Sequence, residues 1–172
     1  VLSGYGEVIK TALLNSRRQF QMVEGLISLS VPDHLAWIEV FRECLLYKQT
    51  VVEADPRDHG IRNSLNLGHT VGHGLEQCYG YTVPHGICVL HGIWIEAMIA
   101  SHLYGLDPLL IARVSTLIHR LNTGLPPVTP EQLLHCMQRD KKNRAEGLGF
   151  VFLRDVAELL DPDRKSTRLN SS

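Results

Sequence analysis

The sequence carries almost no net charge: 17 Lys and Arg against 18 Asp and Glu leave a formal −1. Such a balance sets up no global field for nucleic acid or an anionic membrane, so cations that matter must be gathered locally. Long apolar runs are also lacking. The longest, residues 87–100, is interrupted by His91 and Glu96 and falls short of the roughly 20 residues a membrane helix needs. No signal peptide precedes the four cysteines, and none of them pairs as CxxC. Cys44, Cys78, Cys88 and Cys136 are therefore expected to be small buried hydrophobes in a reducing cytoplasm. Internal repeats, low-complexity tracts and a glycine-rich nucleotide-binding fingerprint are absent too. What remains is a chain of 172 residues, 44% hydrophobic, sufficient for one sizeable core. It lacks an initiating Met and enters at once into a motif, which leads us to expect the downstream part of something longer.

The pattern that is present is helical. Residues 6–16 place Val8, Ile9, Ala12 and Leu13 on one stripe, and residues 17–29 continue as helix. Val31-Pro32-Asp33 breaks the chain, with Asp33 as N-cap of a long helix to about Val52. That helix is expected to turn Leu35, Ile38, Phe41, Leu45 and Leu46 inward and to carry Lys48 near its C-terminal part. A turn-rich link over residues 53–60 precedes a glycine- and histidine-rich helix, and residues 78–84 form a loop. The next helix, to Tyr104, is apolar nearly all round and is expected at the centre of the bundle, stopped by Gly105. An amphipathic helix over 108–121 follows, then a proline-rich link and a helix started by Thr129-Pro130-Glu131. Residues 150–153 are the only strand-like run. The fold class expected is mainly α, a multi-helical domain over residues 1–162, with the polar stretch 163–172 set aside as a non-native tail.

The chemistry gathers in the stretch from Arg62 to Glu76, followed by His85-Gly86. His69 and His73, four apart, share a helix face, with Arg62, Asn66 and Glu76 within a turn or two. Gly68, Gly72 and Gly74 inside a helix each cost about 1 kcal/mol relative to alanine, which implies that something approaches this backbone closely. Two histidines at this spacing can share one metal ion, with a third ligand brought by the loop that returns at His85. A zinc protease is disfavoured, because Thr70 stands where that motif needs a glutamate base. On their own, Glu7 is a carboxylate favoured near a helix start and Lys10 a solvated charge. His91, His102, His119 and His135 are expected to be structural, and the basic run 139–144 suits a solvated loop.

Four motifs in order, Gly6-Glu-Val-Ile-Lys10, the Arg62–Glu76 stretch, His85-Gly86 and Asp140-Lys-Lys142, resemble the C-terminal helical domain of 3-dehydroquinate synthases over roughly residues 2–160. The resemblance implies a shikimate-pathway lyase that converts 3-deoxy-D-arabino-heptulosonate 7-phosphate to 3-dehydroquinate and phosphate. It implies Zn2+ or Co2+ held by Glu7, His69 and His85, and His73 in a proton relay. Lys10, Lys48, Arg62, Asn66 and one of Lys141 or Lys142 would hold the carboxylate, hydroxyls and phosphate of the substrate. It implies NAD bound mainly by an N-terminal domain not present in this chain, a homodimer when full-length, a cytoplasmic location, and no nucleic-acid or membrane partner. Without the NAD domain, these residues alone are expected to be inactive. A related sugar-phosphate cyclase, of the amino-dehydroquinate or sedoheptulose 7-phosphate type, and an unrelated helical metal-binding module stand as alternatives.

Overall fold

The computed structural model describes residues 2–57, 60–139 and 149–160. Among them seven α-helices and one short hairpin are formed: α1 (Leu2–Asn15), α2 (Arg17–Ile27), α3 (His34–Ala54), α4 (His69–Cys78), α5 (His85–Tyr104), α6 (Pro108–Arg120), α7 (Pro130–Arg139), β1 (Leu153–Asp155) and β2 (Glu158–Leu159). The mainly α class expected from the sequence is the class observed. Several boundaries follow from the side chains that end or start them. Ser16 breaks the first helical stretch in two, its hydroxyl accepting from the Gln19 N–H, and Asp33 caps α3 through the Ala36 N–H. Gly105 closes α5 at φ 73°. Thr129 and Gln132 cap each other's N–H at the start of α7.

Helix α5 is the axis. It packs against α1, α4 and α6, while α2 and α3 lean on α1 and α7 on α4. With His85 and Gly86 before the apolar run and residues 101–104 after it, α5 reaches 20 residues, and its most apolar window averages a hydropathy of 1.4. Length and composition alone therefore do not set it apart from a membrane span, contrary to the reading of residues 87–100. Here it is the core helix, with Val89, Leu90, Ile93 and Ala100 at most 1% exposed. The hairpin closes the other side of α1, the Ala157 N–H donating to the Leu13 carbonyl, and the chain enters β1 at Leu153, later than the strand-like run began.

Two close approaches set the geometry of this bundle. A Cβ on Gly6 would run into the carbonyl of Gly86, and one on Gly86 into that of Ser3, so α1 and α5 touch backbone to backbone. Gly68 is not inside a helix, as the motif suggested. It stands at φ 76° between a 3-10 helix over Ile61–Asn66 and α4, and only glycine at 92 leaves room for its carbonyl. Gly72 and Gly74 do lie within α4, facing Val89 and Met137.

Two expectations about side chains are corrected. On α3 the buried face is Trp37, Val40, Cys44 and Val51, whereas Leu35, Ile38, Phe41, Leu45 and Leu46 are exposed. Both sets obey the helical period; Trp37 selects the inner one by packing edge-on against Tyr5 of α1, ring centroids 5.1 Å apart. Cys78 and Cys136 are not small buried hydrophobes but a disulfide linking the end of α4 to α7 across 58 residues of sequence. A loop of that length stabilises the fold by about 2–4 kcal/mol, mainly by restricting the unfolded chain. Cys44 and Cys88 are free and buried, as expected. The tail 163–172 lies outside the described residues.

Candidate metal and anion site

Two helix starts and the middle of a third helix meet at one point. Glu7 lies one residue after the Gly6 contact on α1, His85 one residue before Gly86 at the start of α5, and His69 one residue after Gly68 at the start of α4. The glycine contacts thus fix the neighbours of all three side chains. The His69 and His85 Nε2 atoms lie 3.7 Å and 3.9 Å from Glu7 Oε1. One ligand atom from each of the three can be chosen so that all lie within 4.8 Å of one another. Ligands on a tetrahedral ion at 2.0–2.1 Å sit about 3.4 Å apart, so this O,N,N set fits a divalent metal with small side-chain adjustments.

The ring nitrogens that face away from Glu7 are committed. His69 Nδ1 meets the Leu67 carbonyl at 3.1 Å, and His85 Nδ1 meets the Glu76 carboxylate at 3.1 Å. Both partners only accept when Glu76 is ionised, so both histidines carry the proton on Nδ1 and leave the Nε2 lone pair toward Glu7. His73 completes the group, its ring centroid 5.4 Å from that of His69 and 5.8 Å from that of His85. The two histidines of α4 do not share one donor set, as their spacing first suggests. His69 joins Glu7 and His85, and His73 joins Glu76 and His85.

Two lysines converge on the same carboxylate. Lys10 and Lys48 Nζ each lie 3.0 Å from Glu7 Oε2. Lys10 is not the solvated charge its sequence position suggests, for its side chain is 3% exposed. Burial opposes the charge on Glu7, but Lys10 and then Lys48 outweigh it and hold the carboxyl down at about 2. Burial, helped by Lys48, lowers Lys10 against the pull of Glu7. Burial and the charge of Lys10 bring His69 down to about 4, which keeps its ring neutral at ordinary pH. A test of this balance is Glu7→Gln. Removing one partner of a buried pair leaves Lys10 uncompensated and should destabilise the fold by about 3 kcal/mol at neutral pH. A depressed carboxylate contributes above its unfolded pKa and loses that contribution as pH falls through the folded one. The gap between wild type and variant should therefore be constant above about pH 4.5 and close toward pH 2, read by urea unfolding at each pH.

The remaining sequence candidates are placed unevenly. Arg62 and Asn66 sit on the 3-10 helix, which packs on α1 and α3. The Arg62 N–H is held by Asp55 and is half-buried, while Asn66 is exposed and bonds to Asn63. Lys141 and Lys142 lie outside the described residues. His91 is structural, bonded to the Thr123 carbonyl at 2.7 Å. Sequence reasoning left two residues of this neighbourhood without a role: Glu76, which orients His85, and Glu96, whose signal was a lone carboxylate inside an apolar run.

Solved structures show the same fold. It is shared with 2-deoxy-scyllo-inosose synthase solved with carbaglucose-6-phosphate, NAD+ and Co2+, at a TM-score of 0.79 and 19% identity over 96% of this chain and 47% of that one. It is shared equally with 2-epi-5-epi-valiolone synthase from Streptomyces hygroscopicus, solved with NAD+ and Zn2+, at a TM-score of 0.76 and 19% identity, over 92% of this chain and 46% of that one. Residues 4–143 match the 3-dehydroquinate synthase C-terminal family, and the chain belongs to it. Among curated relatives, the 3-dehydroquinate synthase of Opitutus terrae is 39% identical over 94% of this chain and 46% of its own length. That of Clostridium tetani is 35% identical over 89% and 42%. The chain thus spans about half the length of the curated relatives it matches.

Proposed function

We propose that this chain forms the metal- and substrate-binding half of a 3-dehydroquinate synthase, which converts 3-deoxy-D-arabino-heptulosonate 7-phosphate to 3-dehydroquinate with loss of phosphate. The observation that carries the reading is the convergence of Glu7, His69 and His85 beneath Lys10 and Lys48. Zn2+ or Co2+ bound by the three would supply a Lewis acid that lowers the pKa of a substrate alcohol. NAD+, as hydride acceptor and donor, would be held by residues beyond this chain.

The chain's own residues bind and orient. Lys10 and Lys48 neutralise Glu7 in the structure described; with Glu7 holding a cation, their ammonium groups would be available to an anionic substrate. Arg62 and Asn66, on the adjoining 3-10 helix, would add donors for a carboxylate and hydroxyls, with one of Lys141 or Lys142 assigned to the same anion. His73, its ring 5.4 Å and 5.8 Å from those of His69 and His85, would hold or pass a proton. The pocket beside Glu7, lined by Val8, Thr11, Phe41, Leu45 and Lys48, opens on the exposed apolar face of α3, which we assign to contact with the NAD-binding half.

The test is phosphate release by the full-length gene product carrying this chain. The heptulosonate phosphate should be turned over with NAD+ and Zn2+, and sedoheptulose 7-phosphate should not. Preference for the neutral sugar would replace the assignment with a related cyclase. Lys48→Met should weaken substrate binding about 10- to 100-fold, as loss of one charge-assisted bond predicts.

A further inference from the structure

Glu96 is 1% exposed in the middle of α5, and its partners are backbone N–H groups: Gly68 at 2.7 Å, Val71 at 3.3 Å, and Thr70. A carboxyl buried in an apolar helix needs a reason. Burial outweighs the opposing pull of the α4 N–H groups and leaves it raised, at about 8. Gly68 has no side chain with which to cap α4, so Glu96 caps that helix from its neighbour, its oxygens accepting from the first N–H groups.

The geometry goes one bond further. The Gly68 N–H that donates to Glu96 belongs to the same planar peptide group as the Leu67 carbonyl, which accepts from His69 Nδ1 at 3.1 Å. We propose that Glu96 is a positioning residue for His69, acting through the Leu67–Gly68 peptide group: carboxyl, amide and imidazole form one hydrogen-bonded line that keeps the proton on Nδ1 and aims Nε2 at Glu7. A short hydrogen bond at its N–H polarises the amide and strengthens its carbonyl as acceptor. His85 receives the same support from Glu76 without the intervening amide. Both histidines of the O,N,N set are thus backed by an acidic side chain, one directly and one through the backbone, an arrangement that fixes ring orientation.

The inference rests on the metal reading of Glu7, His69 and His85, and its test separates the two. In the wild-type chain, nitrogen NMR of the His69 ring should show the Nδ1–H tautomer, with the Gly68 amide proton far downfield and slow to exchange. An Nε2–H tautomer at His69 overturns the proposal whatever the metal does. Glu96→Gln retains one acceptor but turns an NH2 toward the N–H groups of α4. Zn2+ binding by calorimetry should weaken about 10- to 100-fold, and the visible absorption of bound Co2+ should change. A folded Glu96→Gln chain with wild-type affinity and an unchanged Co2+ spectrum overturns the proposal. If that variant does not fold, the wild-type tautomer and Gly68 exchange decide alone. A wild-type chain with the expected tautomer but no affinity for Zn2+ or Co2+ defeats the metal reading and leaves the hydrogen-bonded line standing.

Discussion

Replacing Gly6 with alanine should force α1 off α5 and disperse the site. The added Cβ would meet the Gly86 carbonyl carbon at 2.6 Å and its Cα at 3.0 Å, with the carbonyl oxygen closer still. Overpacking usually costs about 1–3 kcal/mol because side chains yield; here the obstacle is backbone, so a loss at the upper end of about 3 kcal/mol or more is expected in urea unfolding. Glu7 is the next residue and His85 precedes Gly86, so metal affinity should fall with stability. Gly4, on the same helix, has open space for 4 Å around the place a methyl group would take. Gly4→Ala should therefore gain up to about 1 kcal/mol from helix propensity alone. Equal losses at positions 4 and 6 would show that propensity, not the α1–α5 contact, governs this helix.

His69→Ala should abolish tight metal binding and leave the fold intact. Four-ligand zinc sites bind with about 10–16 kcal/mol, so one ligand is worth about 3 kcal/mol, roughly two to three decades in affinity. His73→Ala discriminates between the two donor sets that share His85. If Glu7, His69 and His85 hold the ion, His73→Ala should leave calorimetric affinity within a few-fold of wild type. The opposite ranking of the two variants would transfer the ion to His73, Glu76 and His85.

Much of the architecture was legible because short-range chemistry announces it: Asp33 before α3, Gly105 after α5, and Thr129-Pro130 at α7 each satisfy or end a helix locally. Glu7, His69 and His85 were singled out through their motifs, although their convergence depends on glycine contacts between segments as distant as Gly6 and Gly86. The features that escaped are those decided by what lies opposite. The outer stripe of α3 has as much apolar character as the inner one, and only Trp37 against Tyr5 chooses between them. Cys78 and Cys136 have no telling spacing; α7 folding back on α4 brings their Cα atoms to 5.7 Å. The break at Gly68 was hidden inside a continuous-looking motif because its left-handed turn is enforced by Gly92 and Glu96 on another helix.

The edge-on pair of Tyr5 and Trp37 gives the molecule an optical reporter. The chain has two tryptophans, and Trp94 is set against His91 on α5, ring centroids 6.4 Å apart. Tyr5 lies two residues ahead of Glu7, and Trp37 stands on the helix that bears Lys48. A shift of α1 against α3 would alter the indole's surroundings, so the emission of Trp37, isolated by Trp94→Phe, would report any movement between those two helices without an added dye.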